Sequence, residues 1–181
     1  MNPVSFCANY KTNTSVISKN NKQPVSIVEL DKENDMGLLC DLSELWGKKT
    51  GNNVEMLLSD FAKDIDEKPD VNAEHCIVLT LQKDNFDNLD PKKILGVSLF
   101  SEEDYENVIN WFQVDPSNNF MFNPQKRKYK KVGEAILDYL TYEYDKKPIY
   151  VNSSNGAINF YKKYGFKSYD KNFPNYLYYE A

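Results

Sequence analysis

The period of the apolar residues changes repeatedly along this chain, and this change constrains the fold more than any other feature. Short apolar runs predict strands, whereas positions 132, 135, 136, 139 and 140 follow the spacing of one helix face. Strands are predicted at residues 25–30, 75–81, 94–100, 108–114, 148–151, 166–169 and 176–179, and helices at residues 36–46, 53–67, 132–140 and 157–164. This succession predicts a single domain of mixed α/β class.

The first residues do not share this pattern. Residues 1–24 are rich in Asn, Lys, Ser and Thr, they end at Pro24, and they show no sustained period. We therefore predict a flexible N-terminal tail over residues 1–24 and a folded domain over residues 25–181. A chain of 181 residues, of which 41% are hydrophobic, is long enough to bury a core.

Cysteine usage and hydropathy point to the cytoplasm. Cys7, Cys40 and Cys76 are odd in number and widely spaced, which is typical of a reducing compartment. Residues 1–8 lack a basic patch followed by an apolar stretch, so no secretory signal is expected. No apolar run approaches the roughly 20 residues that span a bilayer, so no membrane partner is expected.

The charge is distributed unevenly along the chain. A net charge of −5 disfavours a general nucleic-acid binder. However, five cations fall within residues 126–131, namely Lys126, Arg127, Lys128, Lys130 and Lys131. A positive patch on a negative protein suggests a small polyanionic ligand, with contact to nucleic acid as the minor alternative.

The most specific motif lies near the C-terminus, at residues 155–166. The segment reads Asn-Gly-Ala-Ile-Asn-Phe-Tyr-Lys-Lys-Tyr-Gly-Phe. It resembles the pattern Asn-x-x-Ala-x-x-Phe-Tyr-x-x-x-Gly-Phe that closes the acyl-CoA site of GNAT acetyltransferases. The predicted order of strands and helices from residue 25 onward is also the element order of that family.

The resemblance implies a fold and a co-substrate. The expected fold is the GNAT acyltransferase fold, with a central, mostly antiparallel sheet, one splayed pair of parallel strands, and helices on both faces. The splay would lie between residues 108–114 and 148–151 and would admit acetyl-CoA. By position in the family, the backbone of Phe112, Gln113 and Val114 would bind the pantetheine arm. No metal is expected.

A phosphate-binding loop is expected where the basic cluster leads into the helix predicted at residues 132–140. The family pattern is Gln/Arg-x-x-Gly-x-Gly/Ala, because glycines let backbone N–H groups approach a pyrophosphate at the start of a helix. The preferred alignment puts Lys128 on the Gln/Arg position, Lys131 on the first glycine and Gly133 on the second. The alternative alignment is Lys130-x-x-Gly133-x-Ala135. The loop residues are Lys128, Lys130, Lys131, Val132, Gly133 and Glu134.

The catalytic groups follow from the same resemblance. Asn155 corresponds to the asparagine that binds the cofactor arm, and Tyr161 to the tyrosine beside the sulfur. A phenol with an ordinary pKa of about 10 is a reasonable proton donor to the departing thiolate. Glu106 is the nearest candidate base, although a water-relayed base or no dedicated base is equally compatible with the sequence. The same acidic loop offers Glu102, Glu103 and Asp104 as alternatives, whereas the only histidine, His75, is expected to be structural.

The acceptor is only weakly constrained. Acidic residues in the segments 31–44 and 55–64 favour a cationic amine, either a small molecule or a peptide. The sequence therefore predicts an N-acetyltransferase that moves an acetyl group to a primary amine in a ternary complex. The rival hypothesis is a GNAT-fold binding module that has lost catalysis, and a homodimer is left open.

Overall fold

The computed structural model describes residues 8–31, 35–50, 75–119 and 126–180. A nine-stranded sheet runs through this part of the chain in the order β6-β1-β2-β3-β4-β5-β7-β9-β8. The strands are β1 (Asn9–Ser18), β2 (Asn21–Leu30), β3 (His75–Thr80), β4 (Ile94–Glu102), β5 (Asn107–Val114), β6 (Tyr129–Lys130), β7 (Ile149–Asn152), β8 (Lys167–Asp170) and β9 (Phe173–Tyr179).

Three helices accompany the sheet within the described residues: α1 (Met36–Thr50), α2 (Val132–Glu143) and α3 (Ile158–Tyr164). None of these helices is long and apolar enough to cross a membrane. The helix predicted at residues 53–67 lies outside the described residues. Two short 3₁₀ turns, Pro91–Lys93 and Pro116–Asn118, precede β4 and follow β5.

Two hydrophobic cores lie on the two faces of this sheet. On one face Leu39, Leu42 and Trp46 of α1 pack over Val78 and Val97. On the other face α2 and α3 cover a larger core that contains Ile136, Leu140 and Tyr161 together with Ile77, Phe100 and Ile109. The pair β5–β7 is parallel, whereas the other described pairs are antiparallel. The predicted fold class is therefore confirmed.

The predicted tail is wrong for most of its length. β1 and β2 form a hairpin whose last pair is Ser18 and Asn21, and the two loop residues Lys19 and Asn20 have positive φ values of 48° and 66°. That geometry is the one a two-residue type I′ turn requires. The strand escaped prediction because six of its ten residues are Asn, Thr or Ser and its first five residues are exposed, whereas Val16 alone in the strand is buried.

β6 fastens the basic segment to this hairpin. Tyr129 pairs with Ser18 and Lys130 pairs with Ile17. The Tyr129 N–H also donates to the Asn118 side-chain oxygen at 3.0 Å. As a result, the end of the basic cluster that leads into α2 is held by strands distant in sequence.

Candidate active site

The parallel pair β5–β7 separates part of the way along its length. Its described register contains three pairs and ends at Ile109 opposite Val151. β5 continues for five more residues to Val114, whereas Asn152 of β7 pairs with Tyr176 of β9. A gap therefore opens in the sheet beside the C-terminal half of β5, as expected from the sequence.

A bulge in β5 sits where the two strands separate. Leu99 opposes Trp111 and the next residue of β4, Phe100, opposes Ile109, so Asn110 is the extra residue. A bulge bends its strand and increases its twist. The bend at Asn110 thus explains why pairing with β7 stops at the preceding residue.

The backbone of β5 presents polar groups to this gap. The Asp115 N–H donates to the Leu95 carbonyl at 2.8 Å, which fixes the alternation of the strand. Gln113 therefore turns its backbone groups toward β4, whereas Phe112 and Val114 turn theirs toward the gap. The Gln113 side chain donates to the Val114 carbonyl at 3.2 Å. Of the three residues predicted here, two present their backbone to the gap.

The N-terminus of α2 lies against the same gap. A Cβ on Gly133 would lie 3.5 Å from Cε1 of Phe112 and only 2.8 Å from Cζ of Phe160. The first hydrogen bond of the helix runs from the Ala135 N–H to the Lys131 carbonyl at 3.1 Å. The N–H groups of Val132, Gly133 and Glu134 consequently have no partner within the helix, as at any helix start.

The backbone of Lys131 favours one of the two loop alignments. Lys131 precedes α2 in the left-handed conformation, with φ 64° and ψ 24°. Glycine adopts this conformation most readily, so the preferred alignment, in which Lys131 replaces the first glycine, matches the backbone. Lys130 belongs to β6 and is exposed, as are Lys126 and Lys128. The Nζ of Lys128 lies 5.1 Å from the Tyr129 ring centroid.

Tyr161 is brought to the gap by α3. It is 4% exposed, and its ring centroid lies 6.1 Å from that of Phe112 and 5.1 Å from that of Phe160. Burial raises the pKa of the Tyr161 phenol above its ordinary value. The phenol is therefore fully protonated at neutral pH and is available as a proton donor.

Asn155 lies in the turn between β7 and α3. Its Oδ1 accepts a hydrogen bond from Asn175 Nδ2 at 2.9 Å. A single residue, Gly156, separates Asn155 from Ala157, where the family pattern has two, so Ser154 stands at the pattern's asparagine position. The Asn155 side-chain oxygen is thus engaged by β9 rather than free.

Glu106 lies away from Tyr161. It directly precedes β5, and its carbonyl accepts from the Glu103 N–H at 2.8 Å. Val108, two residues later, pairs with Tyr150. Burial, and after it the negative charge of Glu106, raises the pKa of Tyr150 and Tyr176. These tyrosines are absent from the core around Tyr161. The two predicted catalytic residues therefore lie on opposite faces of the sheet.

His75 belongs to a separate cluster formed by the end of β2, the start of β3 and the end of β4. Its Nδ1 lies 2.5 Å from Glu29 Oε1 and its Nε2 lies 3.2 Å from Glu102 Oε1. The carboxylates raise the pKa of His75, and the hydrogen bond from His75 lowers the pKa of Glu29 to about 2. This arrangement fits the structural role expected for His75.

Two features of the site escaped the sequence analysis. The ring of Phe160 covers Gly133, for which the only signal was a glycine in an apolar helix start. Both carboxylate oxygens of Asp115 lie 2.9 Å from Lys49 Nζ of α1, so α1 is tied to the end of β5. The sequence Asp115-Pro116 predicted only the end of a strand, because Lys49, the partner of Asp115, is remote in sequence.

The comparisons with known proteins identify the fold. No protein-family model and no curated protein match the sequence. A GNAT-family protein from Desulfovibrio desulfuricans has a TM-score of 0.54 at 14% identity, over 81% of this chain and 87% of that one. A GNAT family acetyltransferase from Brucella melitensis in complex with acetyl-CoA has a TM-score of 0.52 at 13% identity, over 86% and 87% of the two chains.

A third structure agrees with these two. The PaiA N-acetyltransferase from Thermoplasma acidophilum, in complex with coenzyme A, has a TM-score of 0.51 at 14% identity, over 85% of this chain and 96% of that one. The sheet with its opened parallel pair and the three structural matches define a mixed α/β chain of acyltransferase architecture. This chain has the GNAT N-acetyltransferase fold.

Proposed function

We propose that this protein is an N-acetyltransferase that moves the acetyl group of acetyl-CoA to a primary amine. One observation carries the proposal: the opened β5–β7 pair lies directly against the N-terminus of α2. A thioester arm needs an extended polar edge to pair with, and a pyrophosphate needs free N–H groups. The two requirements meet around Phe112 and Gly133.

Acetyl-CoA is bound, in this proposal, through backbone groups and cations. The N–H groups of Val132, Gly133 and Glu134, at the positive end of the α2 dipole, receive the pyrophosphate. Lys128, Lys130 and Lys131 add charge on the exposed side of the loop. The backbone of Phe112 and Val114 pairs with the pantetheine amides. Gln113 supports Val114, and Asn155 closes the turn at the far side of the arm.

The reaction is a direct transfer in a ternary complex. The neutral amine nitrogen attacks the thioester carbonyl carbon, the C–N bond forms, and the C–S bond breaks. Tyr161 gives its proton to the departing thiolate, so that coenzyme A leaves as the thiol. The amine gives up its proton through water, with Glu106, which precedes the paired end of β5, as the acceptor. The phenol is then reprotonated from solvent.

The burial of Tyr161 bears on this assignment in two ways. A raised pKa makes the phenol a weaker acid, which opposes proton transfer. The same dry surroundings raise the pKa of the thiol, because burial penalises any charged form. Since both groups share one environment, the phenol remains a competent donor.

The test separates binding from turnover. Calorimetric titration with acetyl-CoA is expected to give one site per chain, and free thiol is expected to appear when a panel of primary amines is added. Absence of acetyl-CoA binding would overturn the proposal.

The rival, a binding module without catalysis, is favoured by one observation. Phe160 and Phe112 pack with their ring centroids 6.0 Å apart beside the α2 N-terminus, so the site is partly filled by aromatic side chains. The module hypothesis predicts tight binding of acetyl-CoA with no thiol release on any amine.

A further inference from the structure

An aromatic strip lies on the sheet face opposite α2 and α3. It consists of Tyr150 of β7, Tyr169 of β8, and Tyr176 and Tyr178 of β9. Tyr150 stacks on Tyr176 and Tyr178 with ring centroids 5.5 Å and 6.0 Å apart, and Tyr169 packs edge-on against Tyr176 at 5.4 Å. Tyr169 is 61% exposed and nearby Phe173 is 67% exposed. Exposed aromatic residues in one patch are typical of a binding surface.

A pocket of about 580 Å³ opens at one end of this strip. Its walls include the aromatic residues Tyr169, Phe173 and Tyr176, the amides Asn152 and Asn175, and the carboxylate Asp170. Asp170 is the only lining residue, within the described part of the chain, that carries a formal charge at neutral pH. We call this site the Asp170 pocket.

One oxygen of the Asp170 carboxylate is held by a backbone hydrogen bond, and the other is available to a ligand. Its Oδ1 accepts the Asn172 N–H at 2.7 Å in the turn between β8 and β9. Among the described residues no cation pairs with it, and Lys171 in the same turn does not line the pocket. Asp170 therefore places a negative charge in a pocket that aromatic side chains also line, a combination that attracts an ammonium group.

The Asp170 pocket adjoins the gap in the sheet. Asn152, on its wall, follows directly after Val151, where β5 and β7 separate. Asn175, also on its wall, bonds Asn155 through its side chain and the Ser153 N–H through its carbonyl at 2.8 Å. The pocket lies over β9 and β8, which are about 5 and 10 Å from β7 at the usual strand spacing. An extended chain of a few methylene groups spans such a distance.

The charge in the pocket argues against it holding the reacting amine. An alkylamine with a pKa near 10 is almost wholly protonated at neutral pH, and a neighbouring carboxylate favours that charged form further. A protonated amine has no lone pair with which to attack a thioester. A carboxylate at this site is better suited to a second ammonium group that stays charged while the first one reacts.

We propose that the Asp170 pocket binds the distal ammonium group of a linear aliphatic diamine whose other amine, at the gap between β5 and β7, accepts the acetyl group. This assignment rests on the proposed acetyl transfer and adds the class of acceptor. The methylene chain lies along the tyrosine rings, and the Asn152 and Asn175 side-chain oxygens accept from the bound ammonium.

The experiment compares two acceptors that differ in one charge. Cadaverine and n-pentylamine have the same carbon chain, but only cadaverine carries the distal ammonium. We expect kcat/KM for cadaverine to exceed that for n-pentylamine by about tenfold, through KM rather than kcat. Asp170→Asn should abolish this preference while leaving kcat/KM for n-pentylamine within about twofold, because the asparagine oxygen can still accept the Asn172 N–H.

The matched control is Asp145→Asn. Asp145 is exposed in the turn after α2, and its removal changes the net charge equally without touching the pocket. The preference for cadaverine should persist in this variant. Equal use of the two amines by the wild type, or a preference that survives in Asp170→Asn, would overturn the diamine assignment and leave acetyl transfer intact.

A binding measurement tests the pocket without turnover. Calorimetry with cadaverine should give an affinity that Asp170→Asn weakens by about tenfold and Asp145→Asn does not. If acetyl-CoA fails to bind, the proposed acetyl transfer is wrong, and the cadaverine titration still tests whether the Asp170 pocket binds an ammonium group.

A second copy of the chain is the competing occupant of the aromatic strip. A wild-type dimer that dissociates in the Phe173→Ser variant, measured by sedimentation equilibrium, would overturn the proposal.

Discussion

The ring of Phe160 occupies the space that a side chain at Gly133 would need. A Cβ on Gly133 would lie 2.8 Å from Cζ and 3.1 Å from Cε2 of Phe160. Because the rings of Phe112 and Tyr161 lie beside Phe160, with centroids 6.0 Å and 5.1 Å away, Phe160 cannot move aside freely. The contact couples the first turn of α2 to α3 at the opening between β5 and β7.

Gly133→Ala should destabilise the fold although alanine is the better helix former. Alanine gains about 1 kcal/mol in helix propensity, but overpacking at such a contact costs about 1–3 kcal/mol. We expect a net loss of about 1 kcal/mol in the free energy of unfolding, measured with urea. In a Phe160→Leu background the same substitution should become stabilising. An identical effect in both backgrounds would show that the two residues are not coupled.

Lys131→Gly should stabilise the protein. Lys131 has φ 64°, a conformation that costs a non-glycine residue about 1 kcal/mol or more. Relief of this strain outweighs the entropy that glycine adds to the unfolded chain. We expect the free energy of unfolding to rise by about 0.5 kcal/mol. The control Lys130→Gly removes the same charge from β6 and should lower it by about 0.5 kcal/mol. A loss in both variants would contradict the strain argument.

Tyr161→Phe should lower turnover much more than the affinity for acetyl-CoA. The substitution removes one hydroxyl from a buried ring and leaves the aromatic contacts with Phe112 and Phe160 in place. Loss of a general acid reduces kcat by about 10²–10⁴-fold, whereas the calorimetric Kd should stay within about threefold. The exposed Tyr142 provides the control, since Tyr142→Phe should change neither quantity. Unchanged kcat in Tyr161→Phe would exclude the role.

Lys49→Met should be far more costly than Lys48→Met. Lys49 pairs with Asp115, whose side chain is 9% exposed, whereas Lys48 pairs with Glu44 at side-chain exposures of 70% and 63%. Removing Lys49 leaves a buried carboxylate without its cation and should cost about 1–3 kcal/mol. Removing Lys48 should leave the free energy of unfolding nearly unchanged, because solvent screens an exposed ion pair. Urea unfolding of both variants checks the difference, and equal losses would refute the burial argument.

The Glu29–His75 pair should give the fold a stability maximum in mildly acidic solution. The pKa of Glu29 is lowered from 4.5 to about 2, so its contribution is lost as the pH falls through that range. The pKa of His75 is raised above 6.5, so its contribution is complete below pH 6.5 and is lost as the pH rises through the raised value.

The urea midpoint should therefore fall both below pH 4.5 and above pH 6.5, the ordinary pKa values of the two groups. His75→Gln should flatten the alkaline limb, because it removes the titrating imidazole. It should reduce the acidic limb only in part, because Lys11 still pairs with Glu29. A wild-type midpoint that does not change between the mildly acidic and mildly alkaline range would contradict the assignment.

Local periodicity determined most elements of this fold. The apolar runs in β3, β4, β5 and β7 and the apolar face of α2 follow from the order of residues alone, because each side chain's neighbours in an element are fixed by the period of that element. The Asn155–Phe166 segment likewise predicted α3 through its resemblance to the GNAT family, whose fold the structural matches share. These local patterns can be recognised in the sequence without knowing which other segments the element packs against.

Contacts between residues distant in sequence decided the rest. The polar strand β1 is stable because it pairs with β2 and β6, not because its own residues alternate. The bulge at Asn110 sets where β5 leaves β7, and the ring of Phe160 fills the space beside Gly133. The fold of β8 and β9 brings Asp170 and aromatic side chains to one pocket. Each of these depends on which surfaces meet after the chain has collapsed, and no short stretch of sequence contains that information.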